Sequence, residues 1–254
     1  MLSEDGKKEF VRLYEEGISL VAIAKEMGFS RDVATRFKKE LGLVDRRRRY
    51  PFCEDYFSTI DTEEKAYWLG FIAADGYIHE GRYTLQFELQ ESDREQVEKF
   101  AKAIQTKRPI LTIKCGKDKQ FTHYRLVINS KKMVSDLQKY GVVQNKSLTF
   151  KPVNIPKDFI KYWIIGYMDG DGCIFDAKGK PKISFTGTKE TIAFIKEFFN
   201  SSNAIRKEHR CESTYQIRLE NNISRDFLLE VDYLNLSYPL RRKQEKFASL
   251  CGNT

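Results

Sequence analysis

Two segments of the chain show the same succession of apolar, alternating and amphipathic stretches. In each, an apolar run ends in an Asp-Gly motif, GFIAADGYI at Gly70–Ile78 and GYMDGDGCI at Gly166–Ile174. An alternating stretch follows, TLQFELQ or KISFTG, and then an amphipathic one, DREQVEKFAKAI or KETIAFIKEFF. Alternation is typical of a half-buried antiparallel strand, and apolar spacings of three and four residues are typical of a helix. The order of predicted elements therefore repeats at an offset of 96 residues, from Asp75 to Asp171.

The repeat predicts two units, each with the order helix, hairpin, helix, hairpin, helix. Asp61 with Glu64 predicts a capping box for the first helix, and Ser92 with Glu95 predicts a cap for the second. The remaining predicted elements are a hairpin at 108–114 and 123–129, a helix at 131–140, and strands near 181–186, 204–210 and 214–220.

Small residues recur on the two apolar helices. Gly70 and Ala74 are four residues apart, as are Gly166 and Gly170. Because small residues at this spacing allow the backbones of two helices to approach closely, the two apolar helices are expected to pair. Two similar units joined in this way predict a pseudo-twofold interface.

The two Asp-Gly motifs place a carboxylate at each helix C-terminus. The negative end of the helix dipole disfavours an acid there, and pairing of the helices would bring Asp75 close to Asp171. Both acids precede a Gly suited to the left-handed conformation that often ends a helix, so simple helix stops are the alternative reading. Two aspartates at equivalent and electrostatically unfavourable positions indicate that a cation binds between them. Mg²⁺ is suited to this place because it takes oxygen ligands and retains waters and phosphate oxygens.

The N-terminal residues 1–44 show a helical pattern of their own. Ser19 and Ser30 are expected to begin the second and third helices, with Gly28 in the turn between them. This arrangement is similar to a helix-turn-helix, whose third helix enters a DNA groove. Ordinary packing of three helices without DNA contact is the alternative. The outward residues predicted to contact DNA are Arg31, Thr35, Arg36, Lys38 and Lys39.

Residues 45–60 form an Arg-rich linker with one proline, Pro51. The run Arg46, Arg47, Arg48 and Arg49 is expected to follow a minor groove or phosphates, or to be a solvated linker. After this linker, the first repeated half spans 61–150 and the second 151–254.

The net charge and the composition of the chain indicate which classes of molecule it binds and which cell compartments suit it. The 44 Lys and Arg against 36 Asp and Glu give a net charge of +8, which favours a polyanion. No stretch approaches the roughly 20 apolar residues that span a bilayer, and the start MLSEDGKKEF lacks the apolar core of a signal or transit peptide. Five scattered cysteines without a CxxC pair indicate neither a disulfide framework nor a zinc site, and therefore a reducing compartment.

The segments WLGFIAADG (Trp68–Gly76) and IIGYMDGDG (Ile164–Gly172) resemble the two motifs of a single-chain LAGLIDADG homing endonuclease. The resemblance covers roughly residues 55–250, and it departs from the motif at Ala73, where the second copy has Asp169. It implies an α+β fold with two pseudo-symmetric αββαββα halves and antiparallel saddle-shaped sheets on DNA. It further implies phosphodiester hydrolysis with Mg²⁺ or Mn²⁺ held by Asp75 and Asp171, with the carbonyls of Ala74 and Gly170 as candidate further ligands.

The same resemblance implies a basic residue near each active centre, after the last helix of each half. Lys146 in GVVQNKSL fits this position in the first half, and Lys243 in YPLRRKQEKF fits it in the second, with Arg242 as a rival. A cation there would stabilise charge in the transition state or orient water. A solvated lysine without such a role is the alternative for either residue.

The outward faces of the sheets are expected to contact DNA bases and phosphates. Polar outward residues are also normal for any sheet. The residues placed on these faces are Thr84, Gln86, Glu88, Arg108, Thr112, Lys114, Arg125 and Asn129 in the first half, and Lys180, Lys182, Ser184, Arg206, Gln216 and Arg218 in the second.

Three functions fit these observations. The first is a metal-dependent, monomeric, intron-associated endonuclease that cleaves a long asymmetric site in double-stranded DNA. It would act in the cytoplasm of a bacterial or phage system or in an organelle, and would not be secreted. The second is an RNA-splicing maturase, and the third is a DNA-binding regulator with an inactive nuclease fold. The presence of both aspartates favours the first over the third, and the helix-turn-helix pattern disfavours the second.

Overall fold

In the N-terminal part of the chain, the described residues form three helices around an apolar core. The computed structural model describes residues 2–16, 18–43, 50–208 and 213–252. It divides into two compact units, residues 1–50 and 51–254. The core of the first unit is formed mainly by Phe10, Ile23 and Phe37, all buried. Its helices are α1 (Glu4–Glu15), α2 (Leu20–Glu26) and α3 (Arg31–Glu40).

Serine hydroxyl caps begin all three helices, and those of α2 and α3 are as predicted. Ser19 Oγ accepts a hydrogen bond from the amide of Ala22, and Ser30 Oγ accepts one from the amide of Val33. Gly28 lies in the turn between α2 and α3 with a φ of +75°, which an L side chain rarely adopts.

The second unit contains two halves that repeat one order of elements, and each half folds an antiparallel sheet under a layer of helices. The helices are α4 (Glu63–Asp75), α5 (Arg94–Ala103), α6 (Lys131–Lys139), α7 (Lys146–Thr149), α8 (Ile160–Asp171), α9 (Lys189–Phe198), α10 (Asn221–Glu230) and α11 (Arg241–Cys251). The strands are β1 (Gly76–His79), β2 (Thr84–Gln90), β3 (Leu111–Cys115), β4 (Phe121–Asn129), β5 (Gly172–Asp176), β6 (Pro181–Gly187), β7 (Arg206–Lys207) and β8 (Tyr215–Arg218).

The two sheets have the same topology. Their strand orders are β1-β2-β4-β3 and β5-β6-β8-β7, and all neighbours are antiparallel. In the first sheet Phe87 pairs with Leu126, and in the second Phe185 pairs with Ile217. These apolar residues are buried under the helices, so the opposite face of each sheet is the one without a helical cover.

The central helices α4 and α8 approach so closely that only glycine fits at their crossing. A Cβ built on Gly70 would lie 2.0 Å from the carbonyl oxygen of Trp163, and one built on Gly166 would lie 1.9 Å from that of Tyr67. The predicted pairing through small residues is therefore confirmed. Because both helices are buried almost all round, they form one core shared by the two halves.

The glycines after the two aspartates differ from expectation. Gly76 and Gly172 have φ angles of −70° and −102°, so the predicted left-handed conformation is wrong. The chain passes straight from helix into strand at these points. Glycine is required because a Cβ would lie 2.7 Å from the carbonyl oxygen of Ile72, or 2.6 Å from that of Met168.

Two of the predicted caps are also wrong. Helix α4 begins after Thr62, whose hydroxyl accepts from the amide of Lys65, while Asp61 pairs with the Lys65 ammonium at 2.7 Å. Helix α5 follows a 3₁₀ turn at Glu91–Asp93 and has no side-chain cap. The tertiary chain path places Thr62 next to the free amides of α4, whereas no side chain caps α5.

Among the described residues, no helix combines the length and the apolar character that crossing a membrane requires.

The glycine crossing predicts a strong and local effect on stability. Gly166→Ala should lower the free energy of unfolding by about 3 kcal/mol or more, because the added methyl group forces the backbones of α4 and α8 apart. Gly81→Ala is the matched control, since its Cβ would meet nothing closer than His79 Cε1 at 3.6 Å. Urea unfolding of the two variants measures the difference. Equal midpoints would contradict the close approach of the helices.

Candidate active site

The ends of the two central helices bring two carboxylates together. Asp75 and Asp171 are the last residues of α4 and α8. A Cβ built on Gly170 would lie 2.3 Å from Ala74 Cβ and 3.1 Å from Asp75 Oδ2, so the glycine leaves room for the opposite helix end and its acid. The sequence-predicted pair therefore meets where the two halves join.

The electrostatics of this pair favour a positive charge. The surrounding protein, and then the charge of Asp171, raise the pKa of Asp75 to about 6. Desolvation also raises the pKa of Asp171, against the opposing effects of Lys146, Lys243 and the Tyr167 hydroxyl. Both aspartates retain surface open to solvent, so a small ion can reach their carboxylates.

Lys146 stands against the first helix end. It begins α7 after Asn145, which takes the left-handed conformation with a φ of +59° and turns the chain back towards the site. The Nζ of Lys146 donates to the carbonyl oxygen of Ala74 at 2.6 Å, and burial lowers the pKa of the ammonium. The Ala74 carbonyl, expected as a further metal ligand, thus already accepts one hydrogen bond.

Lys243 stands against the second helix end. Its Nζ donates to the carbonyl oxygens of Met168 at 2.6 Å, Asp169 at 2.7 Å and Gly172 at 2.7 Å. Burial lowers the pKa of this ammonium as well. The rival, Arg242, instead pairs with Asp93 with a separation of 2.9 Å between Nε and Oδ1.

Asp169 is a buried residue beside this site to which the sequence analysis assigns no role. Its buried carboxylate accepts hydrogen bonds from the hydroxyls of Tyr67 at 2.8 Å and Tyr233 at 2.7 Å, and from the amide of Leu240 at 2.7 Å. Leu240 precedes α11, which carries Lys243. The carboxylate therefore fixes the start of the helix that delivers this lysine. The signal was an acid inside an otherwise apolar helix, two residues before Asp171.

A cavity of about 170 Å³ opens beside Asp171. Lys146, Tyr167 and Thr186 line it, and the Tyr167 hydroxyl donates to the Thr186 carbonyl oxygen at 3.0 Å. Thr186 pairs with Gln216 on the uncovered side of the second sheet, so this cavity is continuous with that sheet face. A phosphate group placed there would lie near both a carboxylate and an ammonium.

The described residues contain no group of three or more His, Cys, Asp or Glu side chains that could hold a metal ion. Asp75 and Asp171 are the two carboxylates that the described residues bring together at this site. Two carboxylates with the remaining positions left to water and phosphate oxygens fit the way in which Mg²⁺ binds to proteins.

The uncovered side of the first sheet, here called Face A, carries Gln86, Glu88, Arg125 and Asn129. Thr84 is on this side but is buried, with its hydroxyl 2.7 Å from Asn129 Oδ1, so it is not free to contact a ligand. The DNA contacts predicted for Gln86, Glu88, Arg125 and Asn129 remain predictions.

Three other residues predicted on Face A lie elsewhere. The register pairs Thr112 with Tyr124 and Lys114 with Thr122, which places both on the helical side of the sheet. Strand β3 begins at Leu111, three residues after the predicted start at 108, and its odd-numbered residues pair with the outward residues of β4, so the even-numbered ones face the helical side. Arg108 lies in the loop before the strand, where its amide donates to Thr106 Oγ1.

The uncovered side of the second sheet, here called Face B, carries five of the six residues predicted for it. The register places Lys182, Ser184, Gln216, Arg218 and Arg206 on one side. Among these residues Ser184 is buried, and Arg206 and Arg218 are exposed. Lys180 precedes β6 in the exposed hairpin turn, where its carbonyl accepts from the amide of Ala177.

Five residues of the first unit that are predicted to bind DNA lie on α3. Arg31, Thr35, Arg36 and Lys39 are exposed, and Lys38 is half-buried with its ammonium 5.8 Å from the ring centre of Tyr14. Arg46, Arg47, Arg48 and Arg49 lie outside the described residues.

Comparison with known proteins identifies the fold. No protein-family model matches the sequence, and no curated protein matches it. The homing endonuclease I-WcaI, solved bound to its DNA recognition sequence, is similar with a TM-score of 0.52 and 17% identity over 83% of this chain and 96% of that chain. The LAGLIDADG homing endonuclease I-LtrWI bound to target DNA has a TM-score of 0.48 and 12% identity over 74% of this chain and 89% of that chain. The similarity to I-WcaI shows the fold, so the predicted α+β architecture with two similar halves is confirmed.

The raised pKa of Asp75 predicts a pH-dependent cost in stability. An acid whose pKa is raised on folding destabilises the folded chain once pH exceeds its unfolded value, so stability should fall between about pH 4 and pH 6. Asp75→Asn should remove this loss and raise the free energy of unfolding at pH 8, with EDTA present, by about 1 kcal/mol, a value reduced because the carboxylate is open to solvent.

Thermal unfolding from pH 4 to pH 8 measures this effect. Asp118→Asn, in an exposed hairpin turn, is the control and should follow the parent protein. An Asp75→Asn variant that is less stable than the parent at pH 8 would show that the carboxylates do not repel each other.

Proposed function

We propose that this chain is a site-specific endonuclease that hydrolyses both strands of duplex DNA with Mg²⁺ or Mn²⁺. The observation that carries the proposal is the pair Asp75 and Asp171, held at adjoining helix ends with a lysine beside each. The structural similarity to a homing endonuclease supports this reading. Both motif copies lie in one chain, so we propose that a monomer contains the complete site.

Asp75 and Asp171 would hold the cation, which supplies Lewis-acid stabilisation of the negative charge on the scissile phosphate. Their carboxylates repel each other without a cation, which favours its binding. The main-chain oxygen of Gly170 remains a candidate further ligand beside Asp75. The Ala74 carbonyl is a weaker candidate because it accepts from Lys146.

The two lysines would act differently because their hydrogen bonds differ. An ammonium has three donors. Lys243 directs all three at main-chain carbonyls, so it fixes the second helix end and contributes its charge. Lys146 uses one on Ala74 within the described part of the chain, and two remain to orient a water or contact a phosphate oxygen. We therefore assign the more direct catalytic role to Lys146.

Faces A and B would lie on the duplex on either side of the cut, because each sheet starts at the residue after one of the aspartates. Because the two halves of the protein carry different residues on these faces, the DNA target site would be long and asymmetric. The exposed cations of α3 would bind duplex DNA that flanks this site.

Substitution of the aspartates tests the chemistry. Asp75→Asn or Asp171→Asn should abolish cleavage of the target duplex and leave binding within about threefold, because a neutral amide is a poor ligand for Mg²⁺ and most DNA contacts are elsewhere. Asp176→Asn, exposed at the end of β5, is the control and should cut normally. Undiminished cutting by Asp171→Asn would refute the site.

Substitution of the lysines separates their roles. Lys146→Met should lower the cleavage rate by about 100-fold with little loss of affinity, as for a group acting in the transition state. Lys243→Met should also lower the melting temperature, since three carbonyls lose their donor. Lys189→Met, exposed on α9, is the control. Equal losses of rate and affinity in Lys146→Met would show a phosphate contact only.

Deletion of residues 1–50 tests the first unit. The shortened chain should bind the target more weakly and with a lower salt dependence, because phosphate contacts are lost. Footprinting should show a shorter protected segment on one side of the cut. Identical footprints with equal affinity would show that the first unit does not bind DNA.

The cleavage assay also separates the alternative functions. Binding without cutting in Mg²⁺ or Mn²⁺ would indicate a DNA-binding regulator. Binding of intron RNA in preference to duplex DNA would indicate a maturase.

A further inference from the structure

The uncovered faces of the two sheets differ in chemistry, and the difference is concentrated on the strands farthest from the shared core. On Face A the register pairs Leu111 with Arg125, Ile113 with His123, and Cys115 with Phe121. The apolar side chains of Leu111, Ile113 and Phe121 therefore share the uncovered side of the sheet. Leu111 is 47% exposed and Phe121 is 58% exposed, which is unusual for large apolar residues on a sheet face.

The charged groups of Face A are matched within the face. Glu88 lies against the Arg125 guanidinium, and its second oxygen is 2.9 Å from His123 Nδ1. The carboxylate thus offsets the charge of Arg125. Near β3, Face A therefore presents apolar surface to a ligand. The charges of Glu88 and Arg125 beside this surface offset each other.

Face B is mainly cationic, and its aromatic residue, the half-buried Phe175, has the Arg218 guanidinium 5.9 Å from its ring centre. Lys182, Arg206 and Arg218 share this face, and no acidic side chain among the described residues lies within ion-pair distance of them. They line a cavity of about 240 Å³ together with Asn203 and Gln216. Arg218 is oriented by its hydrogen bond to Gln216 Oε1 at 3.1 Å.

The base edges of a major groove offer matching chemistry to each face. The 5-methyl group of thymine is the apolar feature on these edges, whereas the N7 and O6 atoms of guanine accept from Arg or Lys. We infer that Face A reads thymine methyl groups through Leu111, Ile113 and Phe121, while Face B reads guanines through Lys182, Arg206 and Arg218. This inference rests on the proposed function and specifies its substrate as a site with one A·T-rich half and one guanine-containing half.

A duplex fits Face A better than a second copy of this chain does. The hairpin tip beside Phe121 carries two exposed lysines, Lys117 and Lys119, against one exposed acid, Asp118, and the whole chain has a net charge of +8. Like charges oppose the pairing of two copies at this edge, whereas they attract a polyanion. The cavity at Asp171 is continuous with Face B through Thr186, which joins the sheet surface to the site of the scissile phosphate.

Base analogues in duplexes selected from a randomised pool test the inference. The full-length Asp75→Asn/Asp171→Asn variant selects the duplexes that it binds. Each thymine of a selected duplex is then replaced by uracil, which lacks the methyl group, and each guanine by 7-deazaguanine, which lacks the N7 acceptor. We expect an affinity loss of about fourfold for each contacted methyl group, from about 0.8 kcal/mol per buried carbon. Uracil-sensitive positions should cluster in one half-site and 7-deazaguanine-sensitive positions in the other.

Variants assign each effect to its face. Leu111→Ala/Phe121→Ala should remove the uracil sensitivity and keep the 7-deazaguanine sensitivity, and Arg206→Ala/Arg218→Ala should do the reverse. Leu229→Ala is the control, since this residue of α10 is also 47% exposed but lies on the helical layer. It should keep both sensitivities.

The outcomes distinguish this inference from the function on which it rests. Failure of any duplex to be enriched would overturn the proposed function and this inference with it. Enrichment of duplexes that bind equally well with uracil would overturn the inference alone, as would uracil sensitivity that survives in Leu111→Ala/Phe121→Ala. A change of mass in sedimentation equilibrium for that variant, with unchanged DNA affinity, would identify Face A as a self-association surface and also overturn it.

Discussion

The close crossing of α4 and α8 is the contact on which the rest of the second unit depends. At Gly70 and Gly166 each helix touches the backbone of the other, so neither position has room for a side chain. This contact fixes the distance between the two helix ends and hence the meeting of Asp75 with Asp171. It also sets the origin of both sheets, because β1 and β5 begin at the very next residues. Core packing, carboxylate geometry and the placement of the two faces follow from one approach of two backbones.

Much of this arrangement could be predicted because the sequence contains an internal repeat, so that each half shows the same pattern. The repeated order of elements, the small residues and the paired acids all depend on local spacing, which a single sequence displays. The caps of α4 and α5 could not be predicted in this way, since Thr62 and the 3₁₀ turn at Glu91–Asp93 are chosen by the tertiary path of the chain. The side of β3 was missed for a similar reason. Because side chains alternate along a strand, a register that differs by an odd number of residues places Thr112 and Lys114 on the opposite face.

The two aspartates of the site could be predicted from the sequence. The contacts of the residues that hold the two helix ends could be predicted only in part. Lys146 and Lys243 could be proposed from a resemblance, but their different numbers of hydrogen bonds appear only when the carbonyls around them are known. The buried carboxylate of Asp169 is tied to residues far away in the sequence, so no local pattern reveals its partners. Long-range polar contacts of this kind depend on the completed fold and not on periodicity.

The hydrogen bonds of Asp169 also limit which halves from different proteins could be combined in one stable chain. This carboxylate belongs to the second half, yet one of its donors is the hydroxyl of Tyr67 in the first half, which in turn accepts from Gln96 Nε2 at 2.7 Å. A chimera that joined the second half to a foreign partner lacking this tyrosine would leave a buried acid short of a donor, even if the glycine crossing were preserved. Functional hybrids would therefore have to inherit Tyr67 and Gln96 together with Asp169, as one exchangeable block that spans the junction.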